Sequence, residues 1–468
     1  MNNSLGNNYN TICALATPAG GAIGVIRLSG NDAIDIIDKV FQSPSGKKLA
    51  DAKANTVHYG EIVDGDGAMV DDVLVSIYRA PHSYTGEDSA EISCHGSRYI
   101  LQKVLQILIG EGAQQAEPGE YTRRAYMNGK MDLSQAEAVA DLISATNKAS
   151  HKMALSQLKG HFSSQLSVLR DKLLKMNSLL ELELDFSDHE ELEFADRTEL
   201  RQLAMTILQC ISTLADSFAT GNALKNGVAV AIVGKTNVGK STLLNQLLHE
   251  EKAIVSDIQG TTRDVIEDTT EIDGVTFRFI DTAGIRQTDD VVENLGIQRT
   301  WQMISKAQIV IYVIDDSQID ADNQLIEDDY FQQVIDATRD KSLLLVLNKQ
   351  DKLSSTPSLS HNGASFLPIS AKDAVGIDRL EQLLLRSASL PEISENDVIV
   401  TNARHYEALL RANDSLSRVF DAMDMDLSAD LIAEDLRQVL ADLGEITGGT
   451  ISSQETLNNI FLHFCIGK

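Results

Sequence analysis

Gly234-Lys-Thr-Asn-Val-Gly239-Lys240-Ser241 is the stretch of this chain with the clearest chemical capacity. Its glycines let successive backbone N–H groups wrap phosphate oxygens, Lys240 carries positive charge to the β and γ phosphates, and the Ser241 hydroxyl can ligate Mg²⁺ at a helix N-terminus. The pattern needs a strand before it and a helix after it. Val228-Ala-Val-Ala-Ile-Val233, a continuous apolar run suited to a buried parallel strand, precedes it, and the helical Thr242-Leu-Leu-Asn-Gln-Leu-Leu248 follows. Asn237, Val238, Gly239, Lys240, Ser241 and Thr242 are therefore the expected phosphate-side contacts. A glycine-rich turn with no ligand fits this context poorly.

Further pieces follow in the order a guanine-nucleotide domain requires. A predicted strand over Phe277–Ile280 ends in Asp281-Thr282-Ala283-Gly284, which places a carboxylate at the strand tip for the Mg²⁺ shell and a glycine N–H near the γ-phosphate. A second strand, Leu343–Leu347, ends in Asn348-Lys349-Gln350-Asp351. The Asp351 carboxylate can accept from guanine N1–H and the 2-amino group. Adenine offers neither donor, so a buried carboxylate there would reject ATP. Ser370-Ala371-Lys372, after a short strand over Phe366–Ile369, matches a loop that backs the base. Between the phosphate loop and Asp281 lies Gly260-Thr261-Thr262-Arg263-Asp264, in the place of a first switch loop. After Gly284 stands Ile285 instead of the glutamine that orients water in Ras-type enzymes. Arg286, Asp289, Asp290 and Glu293 lie within reach, and the residues alone do not choose among them.

These loops need elements to carry them. At roughly 150 residues per domain, 468 residues suggest about three domains, and 43% hydrophobic with 23% charged residues is ordinary globular composition, which excludes disorder as the main state. The net charge of −28 excludes general electrostatic capture of nucleic acid, so any such contact is local or supplied by a partner. Cys13, Cys94, Cys210 and Cys465 form no CxxC pair, which points away from a zinc site or disulfide framework and toward a reducing compartment. The Asn-rich start lacks the basic and apolar parts of a signal peptide, and no run approaches ~18 apolar residues. A cytoplasmic protein with no membrane partner is expected. The first 120 or so residues mix strands (Ala22–Leu28, Val73–Tyr78, Ala90–Ser93) with helices (Ile34–Phe41, Tyr99–Ile109). Leu155, Leu158, Phe162, Leu166, Leu169 and Leu173 keep helical spacing within Asp132–Leu184, and a similar block covers Asn402–Leu443. The P-loop segment reads as a domain inserted between the two blocks.

The whole chain resembles the MnmE family, also called TrmE, of tRNA-modifying GTPases within the TrmE-Era-EngA-YihA-Septin-like group. The resemblance rests on the Gly260–Asp264 switch, Asn237 in the phosphate loop, the apolar residue after Gly284 and the terminal Cys465-Ile466-Gly467-Lys468. It rests equally on Ala16-Thr-Pro-Ala-Gly20, Gly24-Val-Ile-Arg27-Leu-Ser-Gly30, Ser83-Tyr-Thr-Gly-Glu-Asp88, Glu91 with His95-Gly96, Pro118–Ala125 and Asn128–Ala138. It implies an α/β N-terminal domain that binds folate and dimerises (1–128), a helical domain in two parts (129–222 and 389–468), and an inserted Ras-like P-loop G domain (223–388).

The resemblance also implies site roles. Arg27, Glu91, Lys130 and Lys468 match the family's tetrahydrofolate site, for a 5-formyl or methylene derivative, with cations for the folate carboxylates and Glu91 for the pterin donors. Thr262 joins Ser241 at Mg²⁺. A K⁺ ion beside the phosphates is held by Asn237, Ser256, Ile258 and Thr261, within a loop that also includes Asp257, Gln259 and Gly260, and does the charge neutralisation an arginine finger does elsewhere. The water-orienting carboxylate maps onto Glu293. Implied partners are a second copy of the chain, FAD-bound MnmG (GidA) in a heterotetramer or larger complex, and tRNA. The implied activity is potassium-activated GTP hydrolysis coupled to adding an aminomethyl-type group at C5 of the wobble uridine.

Cys465 reads as an accessible thiol near the folate site, against a buried packing cysteine ending a helix over Leu457–Phe464. Prenylation fits badly, since Gly467 is not aliphatic and Lys468 is an unusual terminus. Arg123, Arg124, Lys148, Lys152 and Lys159 are candidate local tRNA contacts, although a solvated face describes them more simply. The acidic Glu181–Glu193 stretch reads as a solvated helix end. A ribosome-assembly switch would bring a basic RNA-binding module and a membrane scaffold would bring a basic or apolar membrane-facing segment, and neither is evident.

Overall fold

The computed structural model describes residues 10–185, 197–248, 268–280, 293–315, 318–319, 325–326, 328–352, 360–361, 364–388, 390, 397–425, 427–449, 460–461, 464 and 467. Two compact units form, one from Met1–Ser144, Ala154–Ile211 and Ala408–Lys468, the other from Ala145–Met153 and Ser212–Glu407.

The first unit holds a seven-stranded sheet in the order Phe41–Gln42, Thr56–Val63, Met69–Tyr78, Ser89–His95, Ile23–Ser29, Ile12–Leu15, Gln114–Gln115. All pairings are antiparallel except Ile12–Leu15 with Gln114–Gln115. Alternation sets its faces: Val73, Val75 and Ile77 are buried, while Asp72 and Leu74, which alternate with them, are exposed. Helices Ala33–Val40 and Arg98–Gly110 close the buried face with Ile34, Ile37, Leu101, Val104 and Leu108. The strand expected over 22–28 thus appears shifted by one residue, and those expected over 73–78 and 90–93 appear with wider boundaries, Met69–Tyr78 and Ser89–His95.

The same unit carries helices Leu133–Ser144, His161–Asp185 and Ala429–Thr447. Phe162, Leu166, Leu169 and Leu173 are buried, and Leu436, Val439 and Leu443 are buried on Ala429–Thr447, the helix that packs on His161–Asp185. The helical stretch expected over Asp132–Leu184 is broken into three, the last break at Gly160, whose φ of +83° ends helix Lys148–Leu158 in the left-handed region. Among the described residues one helix segment, Thr198–Asn226, is long and apolar enough to cross a membrane, with mean hydropathy 1.2. Its Leu200, Ala204, Ile207 and Ile211 are fully buried, while Met205 between them is exposed.

The second unit is built on a six-stranded sheet in the order Leu367–Pro368, Ser342–Leu347, Ile309–Ile314, Val228–Val233, Val275–Phe279, Asp268–Ile272. Only the last pairing is antiparallel. Val228–Val233 and Ile309–Ile314 are buried at every residue, which a parallel sheet covered on both faces demands. Helices Lys240–Leu248, Glu293–Lys306, Asp329–Ala337 and Ile377–Ala388 accompany it, with Leu243, Leu244, Ile304, Phe331, Leu380 and Leu384 in one core with the strands. Expected α/β and helical parts are both present. The strand expected over Phe277–Ile280 is displaced to Val275–Phe279, and that expected over Phe366–Ile369 shrinks to Leu367–Pro368 at the sheet edge, where a proline is tolerated.

Candidate functional site

In a parallel sheet the strand carboxyl ends share one edge, and ligands bind in the crevice outside it. Val228–Val233 delivers the phosphate loop there, Ile309–Ile314 delivers Asp315, Ser342–Leu347 delivers Asn348–Asp351, and Leu367–Pro368 delivers Ser370–Lys372. Gly234 has φ +150°, and an added Cβ would overlap the Val313 carbonyl, so glycine is required for the loop to lie against the neighbouring strand. Asn237 has φ +63°, a left-handed conformation that Asn tolerates better than most residues. Ser241 and Thr242 fall in the first turn of helix Lys240–Leu248.

Asn348, 2% exposed, joins two loops. Its Nδ2 donates to the Val238 carbonyl at 2.9 Å and its Oδ1 accepts from the Ala371 amide at 2.9 Å. Lys349 Nζ donates to the Asn237 carbonyl and to Asp315 Oδ2, both at 2.5 Å. Ser370 Oγ lies 3.0 Å from both Asp351 Oδ1 and Asp373 Oδ2 and can donate its one proton to either, while Lys372 is exposed. Lys240 Nζ donates to the carbonyls of Gly234 at 2.9 Å and Lys235 at 2.6 Å, and burial lowers its pKa. Asn237, Val238, Gly239, Lys240, Asn348, Lys349, Asp351, Ser370 and Ala371 are therefore brought together at this edge.

Two contributors escaped sequence reading. Asp315, 5% exposed, neutralises Lys349, and its only signal is its place after the apolar run Ile309–Ile314. Asp328 pairs with Lys235 at 2.5 Å and caps helix Asp329–Ala337 by accepting from the Phe331 amide at 2.9 Å. Desolvation pushes its carboxyl up, but these hydrogen bonds and the Lys235 charge together hold it below its ordinary range. Ser256, Asp257, Ile258, Gln259, Gly260, Thr261, Thr262, Asp281, Thr282, Ala283, Gly284 and Arg286 lie outside the described residues. Glu293 begins a described helix, but its side chain lies outside the description.

The first unit holds a separate cavity of about 220 Å³ lined by Arg27, Tyr78, Tyr84, Thr85, Ser89 and Glu91. Arg27 and Glu91 face each other across adjacent strands, so the guanidinium meets the carboxylate through Nε at 2.9 Å and Nη2 at 2.7 Å. The guanidinium carbon also lies 5.7 Å from the Tyr84 and Tyr121 ring centroids. Lys130 Nζ donates to the Pro81 carbonyl at 2.8 Å, and its stem packs by Gly86 in the loop carrying Tyr84 and Thr85. Arg27 Nη1 donates to the Gly467 carbonyl at 3.3 Å, which brings the chain terminus to the cavity. Cys465, Lys468 and most of the helix expected over Leu457–Phe464 lie outside the described residues.

Two expected tRNA contacts need correction. Arg124 is 4% exposed, bonded to Glu87 at 3.2 Å and Glu120 at 2.8 Å, and also donates to the Asn10 carbonyl at 2.9 Å. Arg123, at 19% side-chain exposure, pairs with Glu117 at 3.2 Å. Arg124 is committed to the largely buried Glu87 and Glu120, whereas the partner of Arg123, Glu117, is itself exposed. Lys148 and Lys159 are exposed and Lys152 is half-buried.

The parallel sheet, glycine loop and clustered carboxyl-end loops define a P-loop G domain, here within a mixed α/β and helical chain. Residues 11–130 match the family model described as GTP-binding protein TrmE N-terminus, and residues 133–465 match the MnmE helical domain. A tRNA modification GTPase MnmE from Bacteroides fragilis is 53% identical, the match covering 98% of this chain and 100% of the relative. The same description applies to a relative from Parabacteroides distasonis, 53% identical with 98% and 100% covered. The FeoB G domain from Methanococcus jannaschii is 23% identical over 34% of this chain and 96% of that one, and its TM-score of 0.24 is too low to bear on function. The chain belongs to the MnmE (TrmE) family.

Proposed function

We propose that this chain is a GTP-hydrolysing enzyme of tRNA modification. The observation that carries the reading is the buried Asn348, which joins Val238 of the phosphate loop to Ala371 behind the expected base pocket, at the shared edge of a parallel sheet. Phosphates would take the amides of Asn237 to Thr242 and the Lys240 charge, and guanine would be read by Asp351, whose carboxylate Ser370 orients. Ser241, with Thr262 and Asp281, suits Mg²⁺ as a set of hard oxygen donors. The amide of Asn237 and the Ser256, Ile258 and Thr261 oxygens would make a neutral set suited to K⁺. When bound, the two ions supply charge neutralisation around the phosphates. Glu293 would orient the attacking water, with Arg286 nearby, and Thr282 to Gly284 would approach the γ-phosphate.

The cavity beside Arg27 and Glu91 combines an aromatic wall, a carboxylate and a cation, which suits a flat pterin with a polar edge. We infer that it holds the tetrahydrofolate derivative, with Lys130 and Lys468 for its carboxylates and Cys465 as the nearby thiol. The domains would run 1–128, 129–222 with 389–468, and 223–388, in a cytoplasmic homodimer. The partner MnmG would contribute FAD, and together they would install the (carboxymethyl)aminomethyl group at the wobble uridine. With a net charge of −28, this chain would leave most tRNA contact to MnmG, with Lys148, Lys152 and Lys159 as minor contributors.

Nucleoside mass spectrometry of tRNA from cells lacking the protein, complemented with wild type, Cys465→Ser or Asp281→Ala, tests the reading. C5-aminomethyl uridines should vanish on deletion and return only with wild type. An unchanged nucleoside profile on deletion would sink the tRNA assignment.

A further inference from the structure

Asp315 stands where the phosphate side and the base side of the nucleotide site meet. Its strand, Ile309–Ile314, lies between Val228–Val233, which leads into the phosphate loop, and Ser342–Leu347, which leads into Asn348 and Lys349. Ile314 is in register with Leu347, and the Asn348 amide donates to the Ile314 carbonyl at 2.8 Å, so Asp315 emerges beside the base loop. Its carboxylate is buried, and Oδ2 accepts from Lys349 Nζ at 2.5 Å. A buried carboxylate next to a phosphate site would repel the ligand if no cation matched it, and Lys349 supplies the match.

The same ammonium donates to the Asn237 carbonyl at 2.5 Å. Both backbones at this contact are left-handed, with φ +63° at Asn237 and +62° at Lys349. A lysine seldom adopts that conformation, which persists where the surroundings fix it. A peptide unit is planar and trans, so the Val238 N–H points to the side opposite the Asn237 carbonyl. Holding that carbonyl on Lys349 therefore turns the Val238 N–H away from Lys349, whereas a rotated peptide would present an oxygen to the phosphates instead. Asn348 holds the next carbonyl, that of Val238, and is itself anchored on the Ala371 amide. Lys349 has no such rigid anchor of its own: its ammonium ends a flexible four-carbon stem on a side chain 25% exposed, and water competes for it. The Asp315 charge is what keeps it in place.

We infer that Asp315 is a positioning residue for nucleotide binding, which holds the Lys349 ammonium on the Asn237 carbonyl and so keeps the Asn237–Val238 peptide turned with its N–H toward phosphate. The inference rests on the GTP reading and extends it to a residue outside that reading's motifs. A carboxylate that served only the stability of the sheet edge would affect nucleotide binding without regard to Lys349.

Asp315→Asn keeps the shape and an oxygen for the ammonium but removes the charge that strengthens the contact. Calorimetric titration of the full-length protein with GDP should show at least tenfold weaker binding in Asp315→Asn and in Lys349→Met. The double variant should bind no more than threefold more weakly than Lys349→Met alone, because Asp315 acts through the ammonium. In the GDP complexes, amide hydrogen exchange should rise across Gly234–Gly239 in either single variant, with Val228–Val233 keeping wild-type protection. Should Asp315→Asn fail to fold, Lys349→Met carries the exchange test by itself. Wild-type GDP affinity in Asp315→Asn, losses that add in the double variant, or exchange that stays at the wild-type level in the loop or rises equally in the strand would each overturn the inference while leaving GTP binding intact. Calorimetry that detects no guanine nucleotide binding to wild type would overturn the GTP reading itself.

Discussion

Asn348→Asp tests the joint between loops with almost no change in shape. The new carboxylate keeps an acceptor for the Ala371 amide but turns the donor that served the Val238 carbonyl, 2.9 Å away, into a second acceptor. Losing a buried hydrogen bond and orphaning its acceptor costs about 1–3 kcal/mol. A carboxylate at a position 2% exposed adds a desolvation penalty. A combined loss of at least ~2 kcal/mol corresponds to a roughly 30-fold weaker complex wherever the native loop arrangement is needed for binding. Calorimetric titration with GDP should show that weakening at pH 8. Burial and the facing carbonyl raise the pKa of the introduced carboxyl, and its protonated form can again donate to Val238. The defect should therefore be full above that pKa and relax as the pH falls through it, so affinity recovers partly at pH 6. Wild-type GDP affinity at pH 8 in a folded variant would refute the idea that this joint holds the phosphate loop and the base side in register.

Arg124→Met should destabilise the first unit by about 3–5 kcal/mol, because it strands Glu87 and Glu120 at 12% and 10% side-chain exposure. Urea denaturation that moves by less than 1 kcal/mol would contradict the buried-pair argument. Burial pushes the Cys94 thiol up to about 12 and the Cys13 thiol up to about 11, from 9.0, with the Asp71 charge adding to the effect at Cys94. Both should resist iodoacetamide in the native protein at pH 8, as peptide mass spectrometry would read. Because the folded state holds these protons more tightly, the thiols' contribution to stability is complete below pH 9 and is lost as pH rises toward 11 and 12. Thermal melts in which stability stays level from pH 9 to 11 would count against that linkage.

Much of the nucleotide site was legible because its signals are local. Val228–Val233 is apolar at every position, the glycines and Lys240 sit within eight residues, and a helix follows, so strand, loop and helix can be read from one window. Gly160 was equally local and passed unread: the apolar spacing of Leu155 to Leu173 runs across it, and periodicity does not register a single left-handed residue. The central strand Ile309–Ile314 carried no motif, so neither it nor Asp315 at its end was anticipated.

By itself the sequence determined the chemical parts, since glycine content, apolar runs and motif spacing are properties of short segments, and it supplied the family likeness. Only the tertiary structure decided which parts meet. Asn348 reaches Val238 across 110 residues, and Arg27 faces Glu91 across 64, because sheet order and strand register place them side by side. The same packing withdrew Arg124 from the surface and gave its charge to Glu87 and Glu120. Register and burial arise from the whole chain competing to cover its apolar faces and pair its buried charges, and no short window contains that competition.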